Sequence, residues 1–224
     1  MLKTFTIESI YKNRSGQRVN LPIGMSLLVD TGADSLLKLK ADVESMGGNL
    51  YLSDGYRSKT QQEKAHNDYI TKKKKAFSPP AGYSYHEAGR AIDIDLEAIH
   101  MPLSVFWTKA KKYGWMPVIP QPISNQSEAW HFEYREYWNL LTSYSIGKRC
   151  AVLEAYLFLD IPITEKDGHT LFQGLMYLLG FYKGAIDGSW GPLSKEAYIK
   201  AVDSVGSAAL KPFAAAARKI ILEG

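Results

Sequence analysis

Cysteine is nearly absent: Cys150 is the single one in 224 residues. A lone thiol rules out an intramolecular disulfide, and also a cysteine-rich zinc cluster, because thiolate sites need several ligands. Any metal this chain holds therefore rests on histidine and carboxylate groups. Long apolar runs are missing as well, and no stretch approaches the roughly 18 residues of a membrane span. The N-terminal stretch MLKTFTIESIYKNRSGQ lacks the apolar core and small-residue cleavage site of a secretory signal. The expectation is synthesis in the cytoplasm without a signal peptide, and no membrane insertion. Repeats of fixed period and low-complexity tracts are lacking too. Charge bias is mild: the net charge is +4, and Lys72, Lys73, Lys74 and Lys75 supply much of it in one run. Such a run at a helix end reads as a solvated face, so no nucleic-acid partner is expected. What is present is 46% apolar residues and 22% charge, the balance of a soluble globular chain long enough for one large domain or two unequal ones.

Leu36, Leu39, Val43 and Met46 recur at helical spacing across 34–46, and Gly47-Gly48 follows as a stop. Asn49 to Ser53 reads as a short strand running into Asp54-Gly55-Tyr56-Arg57, and Thr60 to Lys75 has helical composition. After the loop Ser78-Pro79-Pro80-Ala81-Gly82, the stretch 91–96 alternates: Ile92, Ile94 and Leu96 face a core, Asp93 and Asp95 do not. Ser104 is a plausible N-cap for a helix through Tyr113, which Gly114 ends. A strand over 129–134 places Trp130, Phe132 and Tyr134 on one face and leaves His131 and Glu133 on the other. Around 143–148 the pattern turns mainly helical. The expected organisation is a domain over 1–145 and a helical module over 146–224.

Two strands thus present a metal-ligand type away from their core residues, Asp93 on one and His131 on the other, with His86 in the loop before the first. Two imidazoles and one carboxylate make an open catalytic zinc site that leaves a position for water. His86-Glu87 hints at the helical zinc-protease motif, but position 90 is Arg where a second histidine is required, which excludes it. Glu128, three residues before His131, is the nearest carboxylate to act as general base, and Arg57 could supply positive charge to an oxyanion. Taken one at a time these residues read as ordinary ones: a surface histidine, a pairing aspartate, a solvated glutamate, a structural arginine. His66, His100 and His169 read as surface or capping positions.

Together the motifs resemble the zinc D-Ala-D-Ala carboxypeptidase and L-Ala-D-Glu endopeptidase family, related in fold to the Hedgehog signalling domain. Ser84, His86, Gly89, Ala91 and Asp93 in SYHEAGRAID meet its first motif. Glu128-Ala129-Trp130-His131 meets its second, and Gly55-Tyr56-Arg57-Ser58 with Gln62 a third. The resemblance covers about Leu50 to Tyr134. It implies an α+β domain, with a small antiparallel sheet flanked by helices, that binds one zinc ion through His86, Asp93 and His131. It further implies Glu128 as base and Arg57 on the substrate carbonyl, with Ser84, Gln62 and Asp95 as weaker candidates for substrate binding or ligand support. Toward the C-terminus, Leu179-Gly180-Phe181-Tyr182, Gly184, Ile186-Asp187-Gly188 and Gly191-Pro192 resemble a peptidoglycan-binding module with three helices. Both modules point to peptidoglycan as the partner. The expectation is a monomeric stem-peptide endopeptidase of phage endolysin type acting at the bacterial wall. The alternatives are a D-Ala-D-Ala carboxypeptidase, an amidase and a non-catalytic wall-binding protein.

Overall fold

The computed structural model describes residues 2–209; the last part of the expected module, 210–224, lies outside the described residues. The chain divides into two compact units, 1–136 and 137–224. The division falls before 145 because Trp138 belongs to the helical side: its Nε1 donates to Glu154 Oε2 at 2.8 Å, and Tyr137 bonds the other oxygen of the same carboxylate.

The first unit runs β1 (Leu2–Thr4), β2 (Glu8–Lys12), β3 (Arg18–Asn20), β4 (Leu27–Val29), α1 (Asp30–Ser45), β5 (Leu52–Asp54), α2 (Lys59–Ile70), β6 (Ala91–Ile94), α3 (Leu103–Lys112), β7 (Trp115–Pro117) and β8 (His131–Tyr134). Six strands form one sheet in the order β3-β2-β5-β6-β8-β7, and β1 pairs separately with β4. The pairs are antiparallel apart from β2 with β5, which join in parallel at Ser9 and Leu52. The expected α+β architecture is therefore present, with that one parallel join added. Strands β1 to β4 and β7 were not foreseen. Most are three residues long, too short to show a period of two, and β7 contains Pro117, which an edge strand tolerates because it leaves no ladder donor unmatched.

Leu36, Leu39 and Val43 of α1, Phe106 and Trp107 of α3, and Ile92, Ile94 and Phe132 of the sheet are buried in one apolar cluster. Burying one such face of a strand turns its alternate residues to the other side. In β6 that leaves Asp93 on the face away from Ile92 and Ile94. Helix α3 starts two residues earlier than Ser104 suggested. Pro102 is its N-cap, and the Pro102 carbonyl accepts from Val105 and Phe106 N–H, while the fixed proline φ suits a helix start. Helix α2 ends at Ile70, so Lys72 to Lys75 lie in the turn beyond it. No helix among the described residues is long and apolar enough to cross a membrane.

The second unit holds α4 (Tyr144–Phe158), α5 (Glu165–Leu178) and α6 (Pro192–Ala209). Its organising residue is Gln173 of α5, which is 0% exposed. The Gln173 Oε1 accepts from the N–H groups of Asp187 and Gly188 at 3.0 and 2.8 Å, and its Nε2 donates to Ser189 O and Ser194 Oγ at 2.9 and 3.1 Å. The Ile-Asp-Gly turn is thereby pinned to α5, and Gly188, at φ +77°, has no room for a Cβ against the Lys166 carbonyl 2.6 Å away. Gln173→Ala strands several buried polar groups, each costing ~1–3 kcal/mol. Full-length Gln173→Ala is expected to unfold its helical unit at a distinctly lower temperature, with the first unit unaffected, as read by calorimetry.

Candidate metal centre

Asp93 and His131 are register partners on neighbouring antiparallel strands, which brings two residues 38 positions apart side by side: His131 Nδ1 lies 2.8 Å from Asp93 Oδ1. His86 arrives from the turn before β6, its Nε2 3.5 Å from the same oxygen. One ligand-type atom from each of the three residues lies within 4.8 Å of the others. The turn that delivers His86 depends on Gly89 at φ +60°, where a Cβ would stand 2.7 Å from Leu2 Cδ2 and 3.3 Å from the Leu27 carbonyl. His86 Nδ1 faces the Gly55 carbonyl at 2.5 Å. A carbonyl only accepts, so Nδ1 carries the hydrogen and Nε2 keeps its lone pair toward Asp93. Gly55 is itself constrained, because a Cβ there would meet the Met25 carbonyl at 2.4 Å.

The electrostatics favour a cation. Burial, then the charge of Arg57, hold His86 below the ordinary imidazole value, so it is neutral at pH 7. Burial opposes charge on Asp93, but the positive charge and hydrogen bonds that His86 and His131 offer when protonated prevail and hold its carboxyl well below the usual range. Burial also pulls His131 down, yet hydrogen bonds to Asp93 and Glu133 outweigh it and raise His131 to about 9.

Arg57 sits at the corner after β5 with its side chain 12% exposed. Its Nε and Nη2 donate to Asp54 Oδ2 at 2.8 and 2.6 Å, its Nη1 to Gln62 Oε1 at 3.3 Å, and its Nη2 reaches Asp93 Oδ2 at 3.5 Å. Buried Gln62 is in turn fixed by donating to Ser78 Oγ and the Pro79 carbonyl. Gln62 thus aims Arg57. Ser84 acts on the His86 turn, its Oγ accepting the His86 N–H at 3.3 Å. Asp95 is a correction: β6 ends at Ile94, and the Asp95 carboxylate accepts from the N–H groups of Glu97 and Ala98 and pairs with Arg18 at 3.6 Å. It caps a turn instead of supporting a ligand. His66 and His100 face backbone carbonyls of Ser78 and Gly47. His169 is not at the surface as expected; it is buried and stacks on Trp190, ring centroids 4.8 Å apart.

Glu128 precedes β8 in a left-handed conformation, φ +70°, which costs a residue with a Cβ about 1 kcal/mol. Its Oε1 is buried without a hydrogen-bond partner. Burial raises its carboxyl above the ordinary glutamate value, and the charges that act on it are those of His131, Asp93, Lys74 and Arg57. A buried carboxylate oxygen is rarely left unmatched. This one beside a His-Asp-His set is the arrangement expected of residues built around a metal ion and a water molecule, and two imidazoles with one carboxylate suit zinc. The sequence reading missed Asp54, the Gly55 carbonyl as the acceptor for His86 Nδ1–H, and Glu133, whose Oε1 faces the far nitrogen of His131.

Residues 26–137, half of the chain, match the family model VanY, D-alanyl-D-alanine carboxypeptidase. The chain belongs to the VanY family. VanY-family proteins are zinc-dependent peptidases of peptidoglycan, hydrolases by reaction class, and the three-residue donor set fits the family's metal. Solved structures similar to the chain include the LdcB LD-carboxypeptidase, at 20% identity over 59% of this chain and 67% of that one, with a TM-score of 0.45. DacB from Streptococcus pneumoniae D39 has 20% identity over 66% of this chain and 85% of that one, TM-score 0.39. A vancomycin resistance D,D-pentapeptidase VanY, solved with Zn(II), has 17% identity over 59% of this chain and 79% of that one, TM-score 0.37. No curated protein matches the chain.

Proposed function

We propose that His86, Asp93 and His131 hold one zinc ion, and that the chain hydrolyses a peptide bond in the stem peptide of peptidoglycan. The observation that carries this reading is the partnerless Glu128 Oε1 beside the His-Asp-His set. Zinc bound there would supply Lewis-acid chemistry that lowers the pKa of water toward neutrality. Glu128 Oε1 takes the proton of the attacking water and returns it to the departing amine nitrogen. Arg57, anchored through Asp54 and Gln62, directs an Nη1 hydrogen at the carbonyl oxygen as negative charge develops there. Loss of one such donor typically lowers the rate ~100- to 1,000-fold.

The bond cut is assigned to L-Ala–D-Glu, an endopeptidase of endolysin type. Support comes from Arg57, whose charge is already shared by Asp54 and Asp93 and so does not seek a substrate's terminal carboxylate. A carboxypeptidase reading has its own support in Lys74, an ammonium that reaches Glu128 electrostatically and would grip such a carboxylate. For the second unit the reading is wall binding. A cavity of about 460 Å³ lined by Phe181, Tyr182, Leu193, Lys183 and the ion pair of Glu196 with Lys200 would suit a polymer with apolar groups and an anionic group for Lys183.

Mass spectrometry of intact peptidoglycan treated with the zinc-loaded chain tests these readings. New amines between L-Ala and D-Glu, unchanged in Lys74→Ala, are expected. Release of terminal D-Ala, lost in Lys74→Ala, would establish the carboxypeptidase; wall binding with no cleavage would overturn the catalytic reading.

A further inference from the structure

Glu133 is a charged residue with no solvent exposure in the middle of a strand. It lies between Ala91 of β6 and Met116 of β7 in register, a place where sheet geometry alone calls for an apolar or β-branched side chain. Burying an ionised carboxylate costs several kcal/mol unless its oxygens are matched. Both are: Oε1 faces His131 Nε2 at 3.4 Å, and Oε2 accepts from Arg135 Nε at 3.0 Å. The other nitrogen of the same ring, Nδ1, is the one turned to Asp93 Oδ1.

We infer that Glu133 is a positioning residue that fixes the His131 tautomer, holding the hydrogen on Nε2 so that Nδ1 presents its lone pair to the metal. Arg135 is a donor alone and so keeps Glu133 Oε2 engaged, turning Oε1 to the ring. A carboxylate behind a ligating imidazole also raises the basicity of the nitrogen that binds. This inference rests on the reading of His131 as a zinc ligand.

Two variants separate the role from simple packing. Glu133→Gln keeps the volume, but Arg135 claims its only acceptor, so the amide NH2 faces Nε2. Two donors then oppose each other, and relief comes from moving the ring hydrogen to Nδ1, which closes that nitrogen to metal. Glu133→Ala removes the support altogether. With the full chain and a chromophoric chelator as competitor, each variant is expected to bind zinc ~10- to 100-fold more weakly than the parent, while circular dichroism shows the parental fold. Either variant, folded and holding zinc with parental affinity, would overturn the inference. His131→Ala serves as the reference: if it also keeps parental affinity, the ligand reading itself fails, and if it loses zinc while the Glu133 variants do not, the positioning role alone is lost.

Discussion

Glu128→Gln is expected to lower kcat/KM on peptidoglycan ~100- to 10,000-fold, with zinc content unchanged. The side chain keeps its length and an acceptor oxygen but no longer takes a proton, so binding of the wall polymer should persist while turnover fails. The same substitution should also remove the acid limb of the pH profile. As the proposed base, Glu128 acts only when ionised, so activity is expected to fall as pH falls through its carboxyl pKa. Burial places that pKa above the ordinary glutamate value, and the limb lies correspondingly nearer neutrality. Stopped assays across pH on parent and variant check both features. A variant as active as the parent would remove Glu128 from the proton path.

Stripping the metal is expected to abolish hydrolysis and to reverse the sign of the chain's pH response. In the metal-free protein His131 is raised to about 9, because its bonds to Asp93 and Glu133 outweigh burial, against ~6.5 when unfolded. Its contribution to stability is therefore complete below ~6.5 and is lost as pH rises through about 9. Zinc competes with the proton on Nδ1, so the loaded protein gains stability over the same interval. Each unit of pH below 9 weakens zinc binding about tenfold, and binding at pH 7.5 should release about one proton. Calorimetry in two buffers of different ionisation enthalpy counts that proton, and thermal unfolding with and without zinc gives the opposing slopes. Parallel slopes would show that His131 is not a ligand.

The grouping of His86, Asp93 and His131 was legible because strand alternation is a local property. Phe132 and Ile92 had to face the core, which turned His131 and Asp93 away from it, and the motifs fixed which carboxylate belonged with which histidine. The same reasoning overreached at Asp95, since alternation holds only while the strand lasts and β6 ends one residue earlier. Asp54 and the Gly55 carbonyl were not legible as parts of the site. They reach it through the pairing of β5 with β6, a contact that no window of sequence contains. Glu133 was visibly on the correct face, but a carboxylate on an exposed-reading face looks solvated until β7 is known to flank the strand. The burial of His169 likewise depends on Trp190, brought back to α5 by the turn that Gln173 pins.

Residue 128 is the place where foldability and chemistry disagree most. A left-handed backbone at φ +70° is one that glycine or asparagine adopts most readily, and neither would leave a carboxylate oxygen enclosed and unmatched. Selection for thermal resistance alone would thus tend to replace this glutamate early, enriching well-behaved proteins that no longer cut. A library screened first for heat survival and only then for peptide-bond cleavage would discard the active lineage at its first step.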